Sequence, residues 1–134
     1  MAITNHERVG KAMELLKAGL APFIEREVKA IYKDRAQKEA ALVLGEDRLN
    51  SKRPIVEWHA AVLLKVLWDK WNDIFRKILG PAERSLVQEL RDWRNKWAHQ
   101  EPFSSDDADR ALDSMNRLLS AVSAGPQADE VAKM

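Results

Sequence analysis

The sequence lacks several features that would define its class at once. None of its 134 residues is a cysteine, so a disulfide framework and a thiolate metal site are both excluded. Glycine and proline are scarce, with five of each, and no alternating run of β-branched residues predicts a strand. No apolar run approaches the roughly 20 residues of a membrane span, and the first segment, MAITNHERVG, lacks the apolar core of a signal peptide. We therefore expect a helical protein of the cytoplasm that does not contact membranes.

An excess of charge of one sign is also missing. The 22 lysines and arginines nearly balance the 21 aspartates and glutamates, which leaves a formal net charge of +1. Any nucleic-acid partner must therefore be attracted by a local basic patch. Hydrophobic residues at 46% and charged residues at 32% are typical of a folded globular chain. A chain of this length makes one domain that buries roughly two-thirds of its unfolded surface.

Apolar residues recur at helical spacing along most of the chain and predict an all-α bundle of four or five helices. Asn5 is the predicted cap of the first helix. We expect this helix to stop or kink between Gly19 and Pro22, because both residues disfavour a helix interior. A second helix is predicted from there to near Gly45, followed by a loop over residues 45–54, GEDRLNSKRP.

The most apolar predicted helix runs from about Val56 to Leu79, and its wide apolar face indicates a central position in the bundle. Gly80 ends it, and Pro81 suits the first turn of the next helix. The buried side of that next helix is predicted to carry Leu86, Leu90, Trp93 and Trp97. Most of the five tryptophans therefore belong to the predicted core rather than to a surface that stacks nucleic-acid bases.

The last predicted helix has Ser104 or Ser105 as its cap, with two aspartates in its first turn. From about residue 124 the segment AGPQADEVAKM is polar, contains proline and glycine, and offers no evident apolar face. The sequence thus predicts a helical domain over residues 1–123 and a linker-like or free tail over residues 124–134.

The segment RDWRNKWAHQ, residues 91–100, places Arg94, Asn95 and His99 at the end of a predicted helix. Two interpretations stay open: a solvated helix face whose histidine is favoured by the helix dipole, and a set of catalytic residues. We expect Arg94 and His99 on the polar side, opposite Leu90. Five residues along a straight helix nevertheless separate two side chains by about 140° and roughly 7.5 Å of rise. The two residues share a site only if the last turn loosens or a second molecule completes the cleft.

The other histidines, His6 and His59, have no evident partner in the sequence, and a structural or solvated role is the favoured interpretation for both. The three histidines show no spacing typical of a metal site. The sequence also lacks a glycine-rich phosphate loop and a nucleophile elbow. Neither a metal ion nor another cofactor is therefore predicted.

The segment RNKWAH matches the R-x4-6-H motif of HEPN domains (higher eukaryotes and prokaryotes nucleotide-binding), including the polar Asn95 after the arginine. Its surroundings resemble the HEPN branch named for a nuclear transcript-surveillance endonuclease, the "synthetically lethal with TREX" protein. The similar stretches are NHERVGKAMELLKAGLAPFIERE, LLKVLWDKWNDIF and ERSLVQELRDWRNKWAHQEPFSSDDADRALDSM, and they cover about residues 5–122. The resemblance implies an all-helical bundle that forms a homodimer with its two motif helices facing each other.

The resemblance also implies metal-independent endoribonuclease chemistry. By the motif, His99 is the candidate base or acid, since a histidine exchanges protons near neutral pH. Arg94 is the candidate phosphate clamp, and Asn95 would orient the phosphate or a side chain of the second copy. Arg91 and Lys96 are nearby basic residues able to guide the RNA backbone, although solvated charge is the favoured interpretation for these two.

Bacterial members of the branch that the chain resembles commonly stand at the start of larger proteins linked to conflict with phage and other mobile DNA. The resemblance therefore implies an N-terminal module whose C-terminal domains are absent from this chain. Two alternatives to a nuclease stay open: a non-catalytic dimerisation or RNA-binding module, and a regulatory element that controls an appended ATPase or nuclease domain.

Overall fold

The structure of the protein is a computed structural model that describes residues 3–45 and 51–134. These residues form an all-helical bundle, which confirms the fold class predicted from the sequence. The α-helices are α1 (Asn5–Tyr32), α2 (Ala36–Ala41), α3 (Ala60–Asp69), α4 (Pro81–Ala98), α5 (Ser105–Ala121) and α6 (Gly125–Ala132). Short 3-10 helices cover Lys33–Arg35, Leu42–Leu44, Ile55–Glu57 and Phe75–Lys77. Half of the predicted loop over residues 45–54, namely residues 46–50, lies outside the described residues.

Helix α1 is continuous over 28 residues, so the predicted stop between Gly19 and Pro22, with a separate second helix after it, is wrong. Pro22 is exposed, so water can satisfy the carbonyl that loses its helical partner. The predicted cap is wrong by one residue. Thr4 caps the helix instead of Asn5, since the Thr4 hydroxyl oxygen accepts a hydrogen bond of 3.0 Å from the main-chain N–H of Glu7.

Gly19 has a packing role rather than a helix-breaking one. A Cβ atom at this position would lie 2.3 Å from Cδ2 of Leu119 and 2.9 Å from Cβ of Ala124. Neither distance is possible without displacing a neighbour. The glycine therefore lets the middle of α1 approach the end of α5 and the start of α6 closely.

The predicted helix from Val56 to Leu79 is wrong in its extent, because α3 ends at Asp69 and the chain then turns. Trp71, Ile74 and Phe75 lie beyond that end, and all three are buried. Their i, i+3, i+4 spacing would also place them on one face of a straight helix, so the pattern in the sequence does not reveal the turn. In the structure, the chain after Asp69 turns and still brings all three into the core.

Helix α1 is the centre of the bundle, because it contacts each of the other described α-helices. Buried residues recur along it every three or four positions, as an amphipathic helix requires. Trp58 is also part of the core, with 1% of its surface exposed. Within the two described ranges, none of the helices combines the length and the apolar character needed to cross a membrane.

The C-terminal segment does not behave as the predicted free tail, because it forms α6 and packs against α5 and α1. Ala128 and Val131 are 4% and 2% exposed. Asn116 of α5 donates a hydrogen bond of 2.8 Å from Nδ2 to the carbonyl oxygen of Ala128. The cause is a short apolar stripe at helical spacing, formed by Ala124, Ala128 and Val131, which the surrounding proline and glycine conceal in the sequence.

Candidate active site

Helix α4 carries the candidate catalytic residues and packs mainly against α3 and α5, with a smaller contact to α1. It begins as the sequence predicts, with Gly80 at the N-cap and Pro81 in its first turn. The Glu83 carboxylate accepts a hydrogen bond of 3.2 Å from the main-chain N–H of Gly80. The start of the helix is therefore fixed by local signals.

The predicted buried side of α4 is partly correct. Leu90 is buried, but Leu86, Trp93 and Trp97 are only half-buried, and Val87 is buried although it was not predicted to be. The helix is therefore rotated so that it contacts α3 on one side and α5 on the other. This rotation decides where each polar residue of the motif points.

A cluster of hydrogen bonds around the Glu89 carboxylate holds α4 against α5. The Glu89 carboxylate accepts hydrogen bonds from Arg110 Nη2 at 2.8 Å, from Trp93 Nε1 at 3.1 Å and from the Ser114 hydroxyl. These bonds, above all the one from Arg110, hold the pKa of Glu89 below its ordinary value, although partial burial acts in the opposite direction. The cluster therefore stabilises the ionised form of Glu89 and, with it, the rotation of α4.

The end of α4 is closed by a Schellman-type arrangement. The main-chain N–H of His99 donates to the carbonyl oxygen of Asn95 at 3.0 Å, as in a regular helix. Gln100 follows with a positive φ of 57°, and the N–H of Glu101 donates back to the carbonyl of Lys96 at 3.1 Å. The last turn therefore does not loosen, and the arginine and histidine of the motif stay on different sides of the helix.

Arg94 is half-buried and lines a cavity of about 290 Å³ between α1, α4 and the start of α3. It lies on the same side of α4 as Leu90 and Trp97, which are four residues before it and three after it. The prediction that Arg94 lies opposite Leu90 is therefore wrong. The other residues that line this cavity, called here the Arg94 cavity, are Met13, Glu14, Lys17, His59, Ala60, Ala61 and Trp97.

Asn95 and His99 lie outside the Arg94 cavity, on the outer face of α4. They belong to a stripe of exposed residues that recurs every three or four positions, formed by Ser85, Gln88, Asp92, Asn95 and His99. One copy of the chain thus presents Asn95 and His99 on one surface and Arg94 on another. None of these three side chains forms a hydrogen bond or ion pair with another residue of the described ranges.

The two basic residues proposed to guide RNA have different surroundings. The Lys96 ammonium lies 3.3 Å from a carboxylate oxygen of Asp107, so Lys96 ties α4 to α5. The Arg91 guanidinium lies 5.9 Å from the centre of the Trp68 ring, which also carries the Arg84 guanidinium at 4.6 Å. Neither Lys96 nor Arg91 lines the Arg94 cavity.

His6 is a residue of this region whose role the sequence does not reveal. Its Nε2 lies 3.0 Å from the carbonyl oxygen of Trp97, and because a carbonyl only accepts, Nε2 carries the proton. The Trp97 indole N–H donates in return to the carbonyl oxygen of His6 at 3.2 Å. The bonds join residues that are 91 positions apart, so no local pattern could indicate them.

His59, like His6, is a histidine for which the sequence indicates no partner. In the structure it lines the Arg94 cavity. It occupies the N-cap position of α3, and no capping hydrogen bond forms from its side chain. Across residues 3–45 and 51–134, no three side chains of the His, Cys, Asp or Glu type are grouped closely enough to hold a metal ion. The Arg94 cavity brings together basic side chains from three helices, together with one carboxylate, that of Glu14.

An all-helical bundle with an R-x4-H motif at the end of one helix has the fold and the motif of a HEPN domain. A family model described as Swt1-like HEPN matches residues 11–123, so the chain belongs to the Swt1-like HEPN family. HEPN domains are generally ribonucleases or RNA-binding domains. Neither a curated protein nor a solved structure matches the chain.

Proposed function

We propose that this protein is a metal-independent endoribonuclease that cleaves RNA by transesterification at a site completed by a second copy of the chain. The observation that carries the proposal is the half-buried Arg94, which lines a cavity and has no ion pair with an acidic residue of the described ranges. An arginine without a carboxylate partner keeps its five N–H donors for a phosphate. Membership of the Swt1-like HEPN family supports RNA as the ligand.

The chemistry requires a base for the ribose 2′-OH, an acid for the leaving 5′-oxygen, and positive charge beside the phosphorane. Arg94 supplies the positive charge. His99 transfers a proton, and the neighbouring Asn95 orients the phosphate through its amide. The products are a 2′,3′-cyclic phosphate and a 5′-OH.

A second copy of the chain resolves the separation of the motif residues. Arg94 and His99 face different surfaces of α4, and the regular last turn keeps them apart. Two chains that meet through the exposed stripe of α4 would place the His99 of each beside the other copy's motif helix. A polar stripe suits such an interface, because it can be hydrated in the single chain and buried with hydrogen bonds in the dimer.

Cleavage of a labelled RNA in the presence of EDTA tests this proposal. The wild-type chain should cut RNA and should not cut the same RNA with a 2′-deoxyribose at the cleavage position, because the attacking hydroxyl is then missing. Arg94→Ala should reduce the rate by about 10²-fold or more. Arg117→Ala is the matched control, since Arg117 is an exposed arginine on α5 that lies outside the Arg94 cavity. Equal cleavage of RNA and DNA would refute the mechanism.

A second function is a non-catalytic module that dimerises or binds RNA and regulates an appended ATPase or nuclease domain. The separation of Arg94 from His99 in one chain favours it, since a pure binding surface does not require the two to meet. This function predicts RNA binding that Arg94→Ala weakens, with no cleavage by the wild-type protein. The resemblance to N-terminal modules of phage-conflict proteins supports a role in cytoplasmic defence for either function.

A further inference from the structure

We propose that His59 is the second proton-transfer residue of the site and that Lys17 is its second phosphate ligand, so that the Arg94 cavity holds the scissile phosphate. This role rests on the proposed nuclease activity. The Arg94 cavity brings together Lys17 from α1, His59 from the start of α3, and Arg94 from α4. Its volume of about 290 Å³ is close to the lower end of the roughly 300–1,000 Å³ found for small-ligand sites, which suits a phosphate with its ribose.

The charge of the cavity favours an anion. Lys17 and Arg94 are both half-buried, and neither has an ion pair with another residue in the described part of the chain. Glu14 is the one carboxylate in the cavity lining, and it is exposed. Two cations against one carboxylate leave a net positive charge before any proton is added to His59. A phosphate bridging α1 and α4 would neutralise that charge.

The position of His59 is suited to proton transfer. Its carbonyl oxygen accepts hydrogen bonds from the N–H groups of Val62 and Leu63, both at 3.1 Å, which fixes its backbone at the first turn of α3. Its neighbours Trp58 and Ala60 are buried. The imidazole itself is exposed and has no hydrogen bond within the described residues. An anchored backbone with an imidazole open to solvent allows proton exchange without disturbing the fold.

The reaction requires two proton transfers, and two histidines can supply both of them. As the bond between phosphorus and O2′ forms, one of two histidines, His59 or the His99 of the second copy of the chain, takes the proton from O2′. As the bond between phosphorus and O5′ breaks, the other histidine gives its proton to O5′. Arg94 and Lys17 hold the non-bridging oxygens, whose charge is highest between these two events. No oxidant or further reactant is required.

The variants His59→Asn and His59→Ala test this role. Asparagine is a preferred N-cap residue, so His59→Asn should keep or raise the melting temperature while removing the titrating group. We expect both variants to cleave RNA at least about 10²-fold more slowly. The pH–rate profile should be bell-shaped in the wild type and should lose one limb in His59→Asn. A variant that keeps the wild-type rate and both limbs would overturn the role of His59.

A modified substrate shows which proton His59 transfers. An RNA whose 5′-oxygen is replaced by sulfur at the cut has a leaving group that needs no acid. If His59 protonates the leaving oxygen, this substrate restores the rate of His59→Asn to within about tenfold of the wild type. If His59 is the base, the sulfur substrate does not restore the rate of His59→Asn. The pH–rate profile of this variant should then lack the limb on the acidic side. A loss of rate without loss of either limb would mean that His59 only supports the fold, which contradicts the inference.

Nucleotide binding provides a test that does not depend on cleavage. In an NMR titration with uridine 3′-monophosphate, the His59 imidazole resonances should shift, and Lys17→Met should weaken the apparent affinity several-fold. Resonances of His59 that do not respond, in a protein that cleaves RNA, would refute the inference and leave the proposed function intact. A protein that binds the nucleotide at His59 but cleaves no RNA would refute the proposed nuclease function and the proton transfer, and keep the phosphate site.

Discussion

The imidazole of His6 stacks on the indole of Trp97, with ring centroids 5.4 Å apart and planes inclined by 13°. Two hydrogen bonds to main-chain carbonyls connect the same pair in both directions. His6 lies in the first turn of α1 and Trp97 in the last turn of α4, between Arg94 and His99. The pair therefore attaches the motif to the central helix of the bundle.

His6→Ala should lower the free energy of unfolding by about 1–3 kcal/mol, because it removes the stacking and leaves the Trp97 carbonyl without this donor. Urea denaturation followed by tryptophan fluorescence measures the loss. The variant His6→Phe keeps an aromatic ring but no donor, so it should fall between the wild type and His6→Ala. Equal stability of all three proteins would show that the pair has no structural role.

Gly19→Ala should destabilise the protein by about 1–3 kcal/mol, because the new methyl group collides with Leu119 and Ala124. The collision should outweigh the gain in helix propensity of about 1 kcal/mol that alanine normally brings. Gly125→Ala is the matched control, since a Cβ there meets no atom within 4 Å. In thermal denaturation, Gly19→Ala should clearly lower the melting temperature, whereas Gly125→Ala should leave it unchanged or raise it.

Val131→Ala should cost about 1–3 kcal/mol, since it removes two methyl groups from a side chain that is 2% exposed. Deleting α6 altogether should lower the melting temperature further, because α1 and α5 would each lose a packed neighbour. Asp129→Ala is a suitable control, because it truncates an exposed side chain of the same helix without introducing a glycine. An unchanged melting temperature after the deletion would contradict the packing of α6.

Local signals in the sequence determine much of this fold. Ser104 is one of the two predicted caps, and its hydroxyl oxygen accepts a hydrogen bond of 3.0 Å from the N–H of Asp107. Pro81 likewise begins α4 as predicted. The failures arise where a distant segment decides the outcome. Gly19 disfavours a helix by itself, yet α5 and α6 require a small residue there.

The sequence names candidate residues for a site but does not predict how they are arranged in space. The motif identifies Arg94, Asn95 and His99 as candidates, and their roles remain predictions. The separation of four residues between Leu90 and Arg94 places them on the same side of α4, but only the neighbouring helices show that a cavity lies there. His59 reaches that cavity from another helix, and no spacing within the sequence indicates such an encounter.

Mixing two inactive variants should restore activity if the site is shared between copies. In a mixed dimer of Arg94→Ala and His99→Ala chains, one site combines an intact Arg94 from one chain with an intact His99 from the other. We expect up to about half the wild-type activity per mixed dimer after subunit exchange, and size-exclusion chromatography with light scattering should show a dimer. If the protein is a monomer, or if the mixture stays inactive although both variants are folded, the site must lie within one chain.

The stability of the protein should depend on pH through Glu89. Because its pKa is lowered in the folded state, the ionised carboxylate contributes stability above its unfolded pKa, and this contribution is lost as the pH falls through the folded pKa. Glu89→Gln should therefore be less stable than the wild type at pH 7. The difference in urea midpoint should narrow progressively below about pH 4.3, the ordinary glutamate pKa. A constant difference down to pH 2 would contradict this assignment.

The contacts of α1 with α5 and α6 also affect how the chain folds during synthesis. Arg8 donates a hydrogen bond of 3.1 Å to the carbonyl oxygen of Met134, 126 positions later. The apolar side of α1 therefore stays partly uncovered during synthesis until α5 and α6 have emerged, and such distant pairings slow folding. The walls of the Arg94 cavity, which lie between Met13 and Trp97, are made early. Helix α1, which forms one of these walls, gains its last packed neighbours, α5 and α6, only after the walls themselves have been synthesised.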